Sequence, residues 1–398
     1  MDLGFLSPLY DRPGPWATVY FATDFPAEDG AARQELHARA AADRLAEQGA
    51  DDQTCRAVHD ALTALPRTPN PPGRALFATS GEVVLETSLA VAPDGDGPHA
   101  TWAPLPHTAP LLDLADAGPR CLIARIDRLG ADFEVRDTEG TREVGRLGGD
   151  DWPIRRTPTT DWSERHFQNS VENTWERNAA AVAEGITETA EREHADMIVL
   201  SGEHRQCITV KERLPHELRA VAVEAEHGTR SPGSNEEAGE RKLVGEVADA
   251  RAWRVRQRAA GVMDRFRAGR VPTDDGRIDA AEGVPALVEA AREHRIATLL
   301  LRPDGPDAHR EVWVGEDPTQ IAMRRTEARE LGAGEPMSAR ADDALIRAAA
   351  ATGAGALSVS ALTDEPEQPS GLPVGGLGAL LRWPYGAGAH EQQEALQS

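Results

Sequence analysis

Lysine is almost missing from this chain. Lys211 and Lys242 are the only two lysines among 43 basic residues in 398. A Walker-type phosphate loop or a Schiff-base lysine would have to use one of them, and neither lies in a glycine-rich loop. Cysteine is just as scarce. Cys55, Cys121 and Cys207 are unpatterned, which argues against a disulfide framework. Aromatic residues make up only 5% of the chain, so alanine and aliphatic side chains must fill most of the interior. No apolar run is long enough to cross a bilayer. The opening "MDLGFLSPLYDRPGPW" lacks a basic region followed by an apolar one. The expectation is a cytoplasmic protein with no membrane partner.

The chain does have enough apolar content for packed cores, at 40% hydrophobic, and 398 residues suit two or three domains. The formal charge of -23 opposes indiscriminate binding to DNA or to anionic membranes. A local basic patch stays compatible with that charge, because salt screens over ~8 Å. The stretches 92–110 and 227–240 are rich in Gly, Pro and acids, and they read as linkers between three parts.

Each part mixes strands and helices. "WATVYFAT" (16–23) is a buried-strand pattern followed by helical stretches near 30–48 and 51–65. Residues 74–90 read as a hairpin turning at Ser80-Gly81, and 120–137 as another with Gly130 near its turn. A long helix and the buried strand "MIVLSG" (197–202) follow. The last part runs through an arginine-rich helix at 236–268, a helix at 283–294, strands "ATLLLR" and "EVWVG", a helix at 338–351 and strand "ALSVSAL". "GGLGALLRWP" (375–384) closes it as a final strand. Such alternation is the mark of α/β layers. The tail 386–398 reads as disordered.

Several patterns that look like chemistry have plainer readings. His204, Cys207 and His216 lack a fourth ligand and regular zinc spacing. The "GGLG" at 375–378 precedes a strand pattern, so the anion site of a helix N-terminus is missing and a tight turn is the better account. No Gly-x-Ser-x-Gly elbow occurs, and Ser201 with His204 is too common a spacing to mark a nucleophile pair. No catalytic residue, metal or cofactor is assigned.

Two features stand out. In "RAWRVRQRAAGVMDRFRAGR" (251–270), seven arginines face only Asp264. The two readings are a solvated helix paired to neighbouring carboxylates and a surface that contacts phosphates, whose oxygens match the arginine fork. The second feature is "TPTTDWSERHFQNSVENTWERN" (157–178), which passes abruptly from loop to helix. Phe167, Val171, Trp175, Ala179, Val182, Ile186 and Ala190 recur at three- or four-residue spacing and form a core-packing stripe. Asp161 with Glu164 reads as a capping box, which starts the helix near Trp162.

"DWSERHFQNSVENTWERNAAAVAE" (161–184), "ADMIVLSGE" (195–203) and the closing "GGLGALLRW" (375–383) together resemble the archaeal and eukaryotic class-one release factor and Pelota superfamily, in its bacterial branch. The resemblance covers roughly 100–385 and is most like the Balon-type hibernation factors, with the Vms/Ankzf-type peptidyl-tRNA hydrolases as relatives. It implies an α/β, three-domain architecture, each domain a mixed sheet with packed helices. The domains would be 1–117, 118–232 with a tip loop and long helix, and 233–385. Release factors carry Gly-Gly-Gln at the tip, where this chain has Thr160, Asp161, Trp162, Ser163 and Glu164. Glycine allows close backbone approach to RNA and positive φ, whereas Thr and Asp restrict both.

The resemblance therefore implies a ribosome-binding translation factor that acts by occupying the A site, in hibernation or rescue. Ribosomal RNA would be its partner, with elongation factor Tu as a further one. Arg155, Arg156, Arg165, Arg265, Arg267 and Arg270 are the RNA-binding candidates. The alternatives are a peptidyl-tRNA hydrolase and a protein-binding stress-response scaffold.

Overall fold

A strand covered on both faces needs an apolar side chain at nearly every position, and the apolar runs of this sequence behave accordingly. In the computed structural model, Trp16–Ala22, Gly73–Thr79 and Met197–Gly202 are strands buried along almost their whole length. The structure describes every residue except 26–29, 68–70, 96, 116–117, 128–129, 138–139, 149–162, 229–235, 275, 363–370 and 386–398. For 163–177, 236–237, 361 and 385 it describes the backbone alone. The contacts divide the chain into two compact units, Ala117–Val255 and Met1–Asp116 with Arg256–Ser398.

The Ala117–Val255 unit is built on a five-stranded mixed sheet. Its strand order is Gly140–Gly148, Gly130–Asp137, Cys121–Asp127, Met197–Gly202, Ala222–Ala225. Residues alternate between the two faces of a strand. Leu122, Ala124 and Ile126 accordingly meet Ala179, Val182, Ile186 and Ala190 of the helix Ser163–Arg192. Cys121 and Ile123 meet Leu243 and Val247 of the helix Glu236–Gly269 on the other face. The apolar stripe read from the sequence is thus core packing through Ala190; its first members Phe167, Val171 and Trp175 have side chains outside the described residues.

The strand Gly140–Gly148 was not expected from sequence. Its "GTREVGRLG" has little apolar periodicity, because it is an edge strand held through Gly130–Asp137 alone. Gly130 has φ 154° and its Cα comes so close to that strand that an added Cβ would lie 1.9 Å from Leu147 O, so the position admits only glycine. Arg125 ties the sheet to the long helix. Its guanidinium donates two hydrogen bonds to Glu240, at 2.6 and 2.8 Å, and pairs with Glu134 at 3.0 Å.

The other unit holds three sheets. The first is antiparallel, ordered Glu82–Leu89, Gly73–Thr79, Trp16–Ala22, His99–Ala103. The hairpin turns at Ser80 (φ 51°) and Gly81 (φ 77°), as two positive-φ residues should. The stretch 92–110 contains a strand, His99–Ala103, rather than being wholly a linker. Its backbone is held by Gln48, which donates to Ala100 O and accepts from Trp102 N, contacts that local composition does not reveal. Helices Gly30–Glu47 and Asp52–Ala64 cover this sheet. Asp51 caps the second by accepting from Gln53 N and Thr54 N.

The second sheet is mixed and ordered Ile278–Glu282, Leu377–Tyr385, Ile296–Leu301, Gly355–Ser358. The third joins Ile321–Ala322, Glu311–Val314 and Met337–Arg340. Residues 338–340 belong to that strand, so the helix expected at 338–351 begins at Ala341. Gly375 and Gly376 adopt φ 67° and 83° in a turn that leads into the closing strand, in keeping with the tight-turn reading of "GGLG". Side chains from the first and last thirds of the sequence share one apolar core, in which Trp16, Tyr20 and Phe77 lie with Leu287, Leu299, Leu345 and Ile346.

Ile186 is fully buried at the centre of the helix–sheet contact. Ile186→Ala should therefore lower the stability of the Ala117–Val255 unit by about 2–5 kcal/mol. Urea unfolding followed by circular dichroism measures this, and a midpoint equal to the parent's would refute the packing assignment.

Candidate nucleic-acid interface

The arginines of the helix Glu236–Gly269 separate into two groups once side chains are placed. Its last turns bury Ala259, Val262, Met263 and Phe266 against Ala280, Leu300, Leu357 and Leu380 of the second sheet. Three of the arginines are drawn into local contacts. Arg267 donates to Asp264 at 3.0 Å. Arg270 donates to Glu282 at 3.1 and 3.3 Å, and its guanidinium lies 5.2 Å from the centre of the Phe266 ring. Arg251 donates to Pro119 O at 3.0 Å. Arg256, Arg258 and Arg265 are exposed and make no ion pair or hydrogen bond with the described residues.

Of the six RNA-binding candidates, Arg265 therefore has a guanidinium without a partner among the described residues, whereas Arg267 and Arg270 hold internal partners. Arg155 and Arg156 lie outside the described residues, as do Thr160, Asp161 and Trp162 of the tip. Ser163, Glu164 and Arg165 form the first turn of the helix Ser163–Arg192, but their side chains too lie outside the described residues. That helix start is one residue from the position read from the capping box. Arg258 was not singled out within the arginine run, because an unpaired arginine and a paired one look alike in sequence.

The zinc reading of His204, Cys207 and His216 fails on geometry. His204 binds Glu224 at 2.6 Å, and His216 is exposed on a separate short helix. Burial pushes the Cys207 thiol up to about 12, so it stays protonated and poorly suited to a metal. Ser201 is locked by contacts of 2.7 Å to His227 O and 2.6 Å to Gly228 O, which leaves no room for a nucleophilic role.

Two other groups bring three potential ligand atoms within 4.8 Å of one another: Glu226, His227 and Glu246, and His107, Asp342 and Asp343. In both, most of these groups already hold hydrogen-bond partners. Glu246 accepts from Glu226 N and His227 N and binds the His227 ring, whose other nitrogen lies 3.4 Å from Lys242 Nζ.

The second group is a buried clasp within its unit. Asp343 accepts from Thr108 N at 2.9 Å and binds His107 Nδ1 at 2.9 Å. Arg340 grips Asp342 with two donated bonds, at 3.0 and 2.5 Å, and so stands where a metal cation would have to sit. Tyr20 donates to His107 O at 2.7 Å and Tyr10 Oη lies 3.2 Å from Thr108 Oγ1, completing the set. Burial raises the Asp342 carboxyl to about 6, with the neighbouring Asp343 charge acting in the same direction against Arg340. Burial lowers the His107 pKa, but the charge and hydrogen bond of Asp343 outweigh it, and the net shift is upward.

Both shifts have the same consequence for folding. Each group binds its proton more tightly in the folded chain, so its contribution is fully present at low pH. The Asp342 contribution is lost as pH rises from its ordinary 3.8 through about 6, and the His107 contribution as pH rises from its ordinary 6.5 through the raised value. The unfolding midpoint should therefore fall as pH rises from about 4 through about 6 and again above about 6.5, and Asp342→Asn should flatten the first of these falls. Urea titrations across this range check it; identical pH slopes for parent and variant would exclude Asp342 as the titrating group.

Residues 120–271 match the family model described as bacterial archaeo-eukaryotic release factor family 2. The Mycobacterium tuberculosis (H37Rv) protein named Uncharacterized protein Rv2629 is 28% identical to this chain over 380 residues, which span 94% of this chain and 95% of that protein. Among solved structures, a ribosome-bound archaeal Pelota aligns over 96% of this chain and 94% of its own, with 16% identity and a TM-score of 0.41. Archaeoglobus fulgidus Pelota aligns over 96% and 92%, with 14% identity and a TM-score of 0.34. At these values the structural likenesses have no bearing on function. The resemblance to that family model is confined to residues 120–271.

Proposed function

We propose that this protein is a ribosome-binding translation factor that occupies the A site, in hibernation or rescue, and leaves peptidyl-tRNA intact. The observation that carries this reading is the release-factor family match over 120–271. Residues 160–164, Thr-Asp-Trp-Ser-Glu, stand where release factors have Gly-Gly-Gln. A carboxylate at Glu164 would be repelled by surrounding phosphates, and Thr160 and Asp161 limit the close backbone approach that glycine allows. Ribosomal RNA is the main partner in this reading, elongation factor Tu a further one, and the cytoplasm its location. The divisions 1–117, 118–232 and 233–385 would be its functional modules.

A protein-binding scaffold is the second reading, favoured by the internal pairing of Arg267 and Arg270. The exposed, unpaired Arg256, Arg258 and Arg265 weigh against it. The missing glutamine weighs against a peptidyl-tRNA hydrolase of the Vms/Ankzf type.

Sucrose-gradient fractionation of stationary-phase cells tests the proposal, with the protein followed by immunoblot. It should travel with ribosomal particles, and purified protein should leave peptidyl-tRNA intact on ribosomes, with Glu164→Gln creating no robust release. Absence from every ribosomal fraction overturns the ribosome assignment. Efficient release by the parent protein replaces it with the hydrolase.

A further inference from the structure

A hollow of about 620 Å³ lies beside the last part of the long helix, within the unit that contains residues 256–385. Gln257, Arg258, Gly261 and Arg265 line it from the helix. Gly353, Gly355 and Ala356 line it from the edge of the second sheet, where Asp2 forms a bridge with Gly355. Asp2 is the carboxylate at its rim, and its Oδ1 accepts from Gly4 N at 2.9 Å.

The placement of the two arginines follows from helix geometry. Seven residues make almost two full turns, so Arg258 and Arg265 project from the same face with their Cα atoms about 10 Å apart. Gly261 lies between them on that face. A Cβ built there would meet nothing within 4 Å, so bare helix backbone forms an open floor between the two cations. Both side chains are exposed and have no ion-pair partner among the described residues, in contrast to Arg267 and Arg270, which are held by Asp264 and Glu282. In a chain with a net charge of -23, two free arginines on either side of a floor without side chains form an isolated cationic groove.

We propose that this groove binds successive phosphates of a single-stranded RNA backbone, with Arg258 and Arg265 each contacting one phosphate and the Gly261 floor admitting the strand between them. Two cations two helical turns apart fit a chain of anions better than one compact anion. Arginine also offers planar donors to phosphate oxygens. That the strand is RNA rests on the ribosome reading; the cationic groove does not. The proposal removes Arg267 and Arg270 from the binding surface and adds Arg258 to it.

The test uses the full chain and a fluorescently labelled single-stranded RNA of about a dozen nucleotides. Anisotropy is measured across a salt series and melting temperature on the same samples. Arg258→Glu with Arg265→Glu should weaken binding by about tenfold or more. The log–log salt slope should become shallower by about 1.4, which corresponds to two lost contacts at about 0.7 each. Melting temperature should hold, because neither side chain has a partner among the described residues.

Gly261→Leu should also weaken RNA binding by filling the floor, while keeping or raising the melting temperature, since leucine is the better helix former. Arg267→Ala with Arg270→Ala should do the reverse, lowering the melting temperature with the salt slope unchanged. The parent's affinity and slope in the Arg258/Arg265 double variant would overturn the proposal. So would thermal stabilisation of the parent by inorganic phosphate or ATP, lost in that variant, without any RNA binding; the groove would then be a small-phosphate site. Ribosome cosedimentation separates this test from that of the proposed function. A parent that binds RNA through the groove but misses ribosomes sinks the ribosome reading alone. A double variant that cosediments and binds RNA as the parent does sinks only the groove.

Discussion

The carboxylate of Asp343 is the interaction on which the larger unit depends. It is almost wholly buried and lies in the first turn of the helix Ala341–Ala351, where an acidic group also favours the helix dipole. From there it accepts hydrogen bonds from backbone groups at Thr108 and Ala109 and binds the His107 ring. A buried carboxylate without such donors would be very costly, and buried backbone N–H groups without an acceptor would be too. Neither segment can meet its needs alone. The first and last thirds of the chain therefore share a core that runs from Trp16 and Phe77 to Leu299 and Leu345. Arg340 completes the arrangement by supplying the positive charge that two adjacent carboxylates require.

The long helix Glu236–Gly269 shows how one element serves packing and surface chemistry at once. Leu243 and Val247 close one sheet, and Met263 and Phe266 belong to the core of another. Arginines next to apolar contacts have been drawn into ion pairs or against a ring, where desolvation strengthens the attraction to Glu282 and Phe266. Arg256, Arg258 and Arg265 have no such partner among the described residues and keep their charge available.

The same logic accounts for the groups that resemble metal sites or nucleophiles. His107 with Asp342 and Asp343, His227 with Glu246, and Ser201 are each engaged by backbone amides, backbone carbonyls or a basic side chain. In a chain so rich in carboxylates, ligand-like residues often come together, and what distinguishes a site from a network is whether any lone pair is left over. In these clusters most of the groups tie segments of the fold together.

Much of the secondary structure follows from local sequence. The buried strands at 16–22, 73–79, 197–202 and 296–301, the Ser80-Gly81 turn, the Gly375-Gly376 turn and the helical stripe from Ala179 to Ala190 all rest on the period of apolar residues or on positive φ. Those are properties of neighbouring residues, and neighbours are what a sequence records. The edge strands His99–Ala103 and Gly140–Gly148 escaped that reading because edge pairing asks little of side chains and much of a partner backbone. The sorting of the arginines was hidden for the same reason. Seven of them stand close together between 251 and 270, yet only tertiary packing put Glu282 beside Arg270 and left Arg258 and Arg265 facing an open groove, because a charge is paired or free according to what the fold brings within a few ångströms of it.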